Sequence, residues 1–279
     1  MKIFYTTDLH GKVWKYEAIV NLLKDIKIDL AIIGADILPN RCTVTKTKRF
    51  ITEYLSKFFQ RIKIPIIIDF GNDDFYMFYD LFKKCVNKYN HVHISHMKEV
   101  VIKDCSIIGM HYVPDYPFGI KDWCRSEKEY LMDPYQISVP VKTINGRVED
   151  IKDLRKYFKC LLMIEEYLFR LPKPNCKKVI YNIHCPPRTL GFDICGNGNE
   201  EVGSYAITKF IKNKKPLLTL HGHIHESSQY SGLTINKLIP ETVSIQPGQL
   251  HGFTYCTFDL DNVEKTYLRT TIPLSNTNG

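Results

Sequence analysis

Three short apolar runs, each ending in polar residues, constrain the fold of this 279-residue chain more than any other feature. Lys2 to Thr7, Asp29 to Ile33 and Ile64 to Phe70 read as buried strands. Between the first two, Trp14, Ala18, Ile19, Leu22, Leu23 and Ile26 fall on one helical face. Between the second and third, Phe50, Ile51, Tyr54, Leu55, Phe58, Phe59 and Ile62 do the same, since residues three and four apart share a face of a helix. Parallel strands need crossover connections of this kind, so three strand–loop–helix units in a row predict a parallel sheet. The runs end in Asp8-Leu9-His10-Gly11, Gly34-Ala35-Asp36 and Gly71-Asn72-Asp73-Asp74. One such aspartate is an ordinary turn residue. Three in succession point to a site, because open α/β sheets bind ligands at the carboxyl ends of their strands.

The rest of the chain supplies further strand ends. Val92 to Gly109 reads as short strands; His91, His93 and His96 near its start have no carboxylate beside them in sequence and read as structural. Met110 to Pro140 lacks periodicity and reads as a long loop or lid. Asp150 to Leu171, with Leu154, Phe158, Leu161, Leu162, Ile164, Leu168 and Phe169, reads as one amphipathic helix. Lys178 to Ile183 is a strand ending in His184-Cys185-Pro186-Pro187-Arg188, where the prolines forbid an immediate helix. Gly191 to Gly203 reads as a flexible loop beside the site, and its Gly196-x-Gly198 is a poor nucleotide fingerprint because it opens no helix after a strand. Ser204 is a cap for a helix over Tyr205 to Lys212.

Leu217 to Leu220 then delivers His221-Gly222-His223-Ile224-His225. If the strand continues, alternation points His223 and His225 the same way, and Gly222 lets backbone approach closely. Segments between Gln229 and Thr271 alternate like an antiparallel sheet, and Ser275 to Gly279 reads as a disordered tail. No repeat or linker interrupts the pattern. The expectation is one domain over residues 1–274, with an insertion or lid at about 110–175.

Charge and cysteine content narrow the function classes. A net charge of +8 favours anionic partners such as phosphate esters or nucleotides; nucleic acid is compatible, although the basic residues are spread along the chain. The nine cysteines contain no Cys-x-x-Cys pair, which argues against a disulfide framework and a zinc knuckle and for reduced thiols in the cytoplasm. No signal peptide or membrane span is legible, and oligomeric state has no sequence signal.

Taken in order, Asp8-x-His10, Gly34-x-Asp36, Gly71-Asn72-Asp73-Asp74, His184 and Gly222-His223-x-His225 resemble the motifs of the calcineurin-like metallophosphoesterase superfamily. His184-Cys185-Pro186-Pro187 and Gly222-His223-Ile224-His225-Glu226-Ser227 are further similar to its small, Icc-like members. The resemblance implies a four-layer α/β/β/α sandwich of two mixed sheets flanked by helices, with an inserted loop/helix lid. It implies that Asp8, His10 and His225 hold one metal ion and Asn72, His184 and His223 a second, with Asp36 bridging. Such nitrogen and oxygen ligands suit divalent or trivalent ions, manganese first, with iron, zinc, cobalt or nickel compatible. The implied chemistry is in-line attack of a metal-bridging hydroxide on a phosphodiester or pyrophosphate bond, with a nuclease as an alternative. Where the superfamily commonly has a histidine that assists the leaving group, this chain has Asp73. Asp73 and Asp36 are therefore the candidate catalytic carboxylates. An unburied carboxylate is a poor proton donor, which keeps a binding or scaffold protein of the same fold as the other alternative.

Overall fold

Alternate residues of the apolar strands face different cores, and this builds the layers. In a computed structural model describing residues 1–128, 132–196, 198 and 200–274, the strands in chain order are β1 (Lys2–Thr6), β2 (Leu30–Ile33), β3 (Ile66–Ile68) and β4 (Val92–His93). They continue as β5 (Glu99–Ile102), β6 (Cys105–Met110), β7 (Lys178–Ile183) and β8 (Leu218–Leu220). The last four are β9 (Ile235–Ile239), β10 (Thr242–Ile245), β11 (Gly252–Asp259) and β12 (Leu268–Pro273). One six-stranded sheet has the order β12-β11-β1-β2-β3-β4 and the other β9-β10-β8-β7-β6-β5. Both are mixed: β1 to β4 run parallel and β11 antiparallel to β1, while β6, β7, β8 and β10 run parallel with β5 and β9 antiparallel at the edges.

Ile3, Tyr5, Leu30, Ile32 and Ile67 of the first sheet pack on Ile107, Ile180, Leu218, Leu220 and Ile245 of the second. The opposite face of the first sheet, with Phe4, Ala31, Ile33, Ile66 and Ile68, is covered by Tyr16, Ile19, Val20, Phe58, Phe59 and Phe82. These come from α1 (Val13–Asp25), from α2 (Val44–Arg49) running through a π turn (Phe50–Leu55) into α3 (Ser56–Arg61), and from α4 (Tyr79–Val86). The outer face of the second sheet packs Ile108, Met110, Tyr181 and Ile183 under α5 (Leu154–Lys159), α6 (Ile164–Phe169) and α7 (Tyr205–Lys214). Three apolar layers between four structural layers give the expected α/β/β/α arrangement.

Four expectations change. The segment from Asp150 to Leu171 is two short helices, because Ile164 N–H donates to Ser126 O and so leaves the helical ladder. Its start belongs to a hairpin of Val141–Ile144 with Arg147–Asp150. The strands after Gln229 do not form one antiparallel sheet: β9 and β10 close the second sheet and β11 and β12 the first. The stretch from Gly191 to Gly203 contains a two-stranded ribbon, Ile194–Cys195 with Glu200–Glu201. The tail over Ser275 to Gly279 lies outside the described residues. Ser204 does cap α7, its hydroxyl accepting from Ile207 N. All nine cysteines are free thiols, and no described helix is long and apolar enough to cross a membrane.

Candidate metal centre

The carboxyl ends of β1, β2, β3, β7 and β8 converge at one edge, and each delivers a candidate ligand. Asp8, Asp36, Asn72 and His184 are buried, and His10, His223 and His225 lie at the rim. Single atoms from Asp8, His10 and His225 come within 4.8 Å of one another, and so do atoms from Asp36, His184 and His223. His184 Nε2 is 3.0 Å from both Asp36 Oδ2 and Asn72 Oδ1. All seven sequence candidates are therefore neighbours. His10, Asp36 and Asp73 form a third such group, so Asp36 belongs to two of the three.

Local backbone geometry aims these groups. Asp8 (φ 56°), His10 (φ 46°), Asp36 (φ 53°) and His223 (φ 70°) all adopt left-handed conformations. For residues bearing a Cβ this region is sparsely occupied and costs of order 1–3 kcal/mol each, a strain that collects at functional sites. The histidine pair does not sit on an extended strand, so strand alternation does not orient it. The ladder ends when His221 N–H donates to Ile245 O and Gly222 N–H to His184 O; Ile224 N–H then closes a tight turn onto Gly222 O. The turn sends His223 to the Asp36 group and His225 to the Asp8 group. His221 belongs to neither: its Nδ1 is 2.8 Å from Ile183 O and 3.1 Å from Cys185 O, and its Nε2 is 2.8 Å from Thr219 Oγ1. It ties the end of β8 to the end of β7.

Gly222 is required for close approach. A Cβ there would lie 2.5 Å from Asp8 Oδ2 and 2.6 Å from Thr7 Oγ1. A Cβ at Gly71 would collide with the Asp36 carboxylate in the same way.

The electrostatics are those of a cation site. Burial opposes ionisation of Asp8, but its hydrogen bond to His225 and the imidazoles of His225, His184 and His10 outweigh burial and hold the carboxyl well below its usual range. His225 is raised in return: Asp8 and Asp36 overcome its burial. Asp36 is pushed well up, first by burial and then by Asp73 and Asp8. His10 falls to about 4, and His184 and His223 fall as well, all chiefly through burial. Among the described residues no lysine or arginine ion-pairs with Asp8 or Asp36; their partners are histidines. His223 Nε2 is buried without a hydrogen-bond partner, and His10 Nε2 faces His225 Nε2 at 3.1 Å. Lone pairs converging on buried carboxylates, with oxygen and nitrogen donors and no sulfur, fit hard or borderline divalent ions.

Asp73 stands apart from the buried set. Its side chain is 37% exposed, and it accepts from the amides of Asn72 (2.9 Å) and Asn40 (3.3 Å). Its backbone N–H donates to Asp36 Oδ1 at 2.9 Å.

Several residues support the centre, and apart from Asp74, which ends the Gly71-Asn72-Asp73-Asp74 motif, they carry no sequence signal. Asp74 is buried and accepts from the N–H groups of Ile37, Leu38 and Gly71, pinning the Asp36 loop to the Asn72 loop. Trp123 Nε1 donates to Asp74 O, which fastens the 110–140 segment beside the site. Within that segment Lys121 and Asp115 form a buried ion pair at 2.7 Å. Lys15 Nζ reaches Asp8 O and Gln249 Oε1, and burial lowers its pKa to about 8. The His91, His93 and His96 cluster contributes no ligand to the centre. His96 does have a carboxylate close in space, however: Asp69 accepts from His96 N and lies 3.2 Å from His111 Nε2.

A family model described as calcineurin-like phosphoesterase matches residues 1–227. No curated protein sequence matches the chain. One solved crystal structure is 15% identical with a TM-score of 0.62, covering 97% of this chain and 98% of that one. The protein TT1561 of Thermus thermophilus is 14% identical with a TM-score of 0.57, covering 97% of this chain and 98% of that one. A structure titled as a novel archaeal phosphodiesterase is 13% identical with a TM-score of 0.49, covering 98% of this chain and 100% of that one. For the first two, at such identities, the likeness is one of fold.

Proposed function

The chain belongs to the calcineurin-like phosphoesterase family, and on that premise we propose that it is a dinuclear metal-dependent hydrolase of phosphodiester or pyrophosphate bonds. The observation that carries this reading is the pairing of the two ligand groups around Asp36. Asp8, His10 and His225 would hold one ion and Asn72, His184 and His223 the other, with Asp36 between them. Bound there, the ions would supply Lewis acidity and an acidified water as nucleophile.

The protein's own groups prepare the site. Tight left-handed turns hold the His10 and His223 imidazoles so that little reorganisation accompanies binding, and burial favours their neutral form, the form that ligates a cation. The Asp73 N–H bond to Asp36 Oδ1 fixes the orientation of the bridging carboxylate. Asp73 itself accepts two amide N–H groups, a placement that suits orienting Asn72 better than protonating a leaving group. Its carboxylate also puts negative charge beside the phosphate position, which disfavours a dianionic monoester more than a monoanionic diester. Manganese is the first metal to test.

Hydrolysis of bis-p-nitrophenyl phosphate, compared with p-nitrophenyl phosphate under added manganese, tests the reading. The expectation is metal-dependent turnover with the diester preferred. Absence of turnover with manganese, iron, zinc, cobalt or nickel at measured loading would instead support a metal-binding scaffold, the second reading that Asp73 keeps open.

A further inference from the structure

Resting on the proposed phosphoesterase reading, we infer that the substrate carries an apolar alkyl or aryl group, bound in a cavity that opens directly onto the ligand set. The cavity holds about 610 Å³, within the range that encloses a whole small molecule. One end is lined by Asp36, Asn72, His223 and His225, and it continues over Leu38, Val44, Phe75, Met77, Phe118 and Val148. These six side chains come from four separate segments: the loop after β2 with the start of α2, the loop after β3, the 110–140 segment and the Arg147–Asp150 strand. Phe118 is 53% exposed, Val44 44% and Val148 43%. Three large apolar side chains left in water around one mouth mark a surface that gains from being covered.

The polar lining separates an apolar group from a nucleoside. Asn40 is engaged with His10 and Asp73, and the Thr47 hydroxyl donates to Thr43 O. Beyond the ligand set this leaves Arg41, Asp73 and Glu226 as charged groups, the Asn40 carbonyl as an acceptor and the Cys42 thiol as a weak donor. Asp73 contacts Asn72 and Asn40 and so sits at the phosphate end, and Glu226 follows His225 directly in the chain. A base or sugar needs several fixed donors and acceptors, and a buried polar edge without them is costly. The remaining walls offer aliphatic and aromatic surface.

Two measurements test this together. The first is calorimetric binding of n-alkylphosphonates, from methyl to octyl, to the manganese-loaded protein. Affinity is expected to rise about three- to fourfold per methylene until the cavity is filled, the gain of burying a CH₂. Phe118→Asp and Val148→Asp, both on half-exposed side chains that carry no core packing, are expected to flatten that slope. The second compares kcat/KM for octyl, methyl and thymidine 5′ p-nitrophenyl phosphodiesters, with the octyl ester expected to lead. Affinity independent of chain length, or preference for the thymidine ester over the octyl ester, would overturn the inference. Length-dependent phosphonate binding without hydrolysis of any ester would uphold the apolar site while overturning the catalytic reading.

Discussion

Replacing Gly222 with alanine perturbs the centre without removing a ligand. The new methyl carbon would sit 2.5 Å from Asp8 Oδ2, 2.6 Å from Thr7 Oγ1 and 2.9 Å from Thr7 Cγ2, where ordinary contact begins at 3.4 Å. The overlap with Asp8 is therefore roughly 0.9 Å, and metal–ligand distances tolerate about 0.2 Å. Neither neighbour can swing aside. Thr7 is fully buried, with its hydroxyl accepting from Ala35 N, and Asp8 accepts from His223 N in a buried position. The strain must move Asp8 away from His225 or shift the His223 turn. Overpacking of this size costs about 1–3 kcal/mol of stability, and misplacing a ligand should weaken metal affinity by at least the roughly 10- to 100-fold typical of lost supporting contacts. Manganese titration by calorimetry, alongside urea unfolding of the metal-free protein, reads the two effects separately. Gly232→Ala is the control: its φ of +71° strains an alanine backbone, but a Cβ there meets nothing within 4 Å, so it adds strain without touching the centre. It should lose about 1 kcal/mol of stability with unchanged manganese affinity. Wild-type affinity in folded Gly222→Ala, or equal loss in both variants, would refute the reasoning.

Other perturbations follow from the same geometry. Asp74→Ala orphans three buried N–H groups, each costing about 1–3 kcal/mol when unpaired; urea unfolding should show a loss of several kcal/mol, and a loss below about 1 kcal/mol would contradict its pinning role. His96, lowered to about 3 by burial and the charge of His111, and His221, lowered to about 4 by burial, are both neutral in the folded protein. The unfolded chain takes up their protons below about 6.5. Stability is thus complete above that pH and falls as pH drops toward 4, by about 2 kcal/mol per histidine at pH 5; metal-free unfolding curves at pH 7 and pH 5 check this, and the slope should shrink in His96→Gln. Asp73→His should raise monoesterase activity relative to diesterase activity by about 10-fold or more if a missing acid limits monoester cleavage; an unchanged ratio would remove that argument.

Strand identity is legible because β1, β2, β3 and β7 are buried on both faces and read as unbroken apolar runs, whose polar ends then mark the site edge. The helix break at Cys160–Met163 is not, because it depends on Ser126 O capturing the N–H of Ile164 from another part of the chain. The geometry of His223 and His225 escapes the sequence for a related reason. A period-two argument assumes an extended backbone, and the strand stops at Leu220 once its ladder partners are used. Asp69 and His111 are invisible as a pair, and so is the reach of Asp74 to Ile37 and Leu38, since these contacts are distant in sequence. The apolar cavity is likewise tertiary, assembled from four segments that share no motif.

The proposed site has Asp36 between two metal ions. Equilibrium dialysis against manganese, followed by elemental analysis, tests it most directly. The wild type is expected to hold two ions per chain, as a two-metal site requires, and Asp36→Ala and His223→Ala are each expected to lose at least one. One ion or none in the wild type, or two retained in both variants, would contradict it.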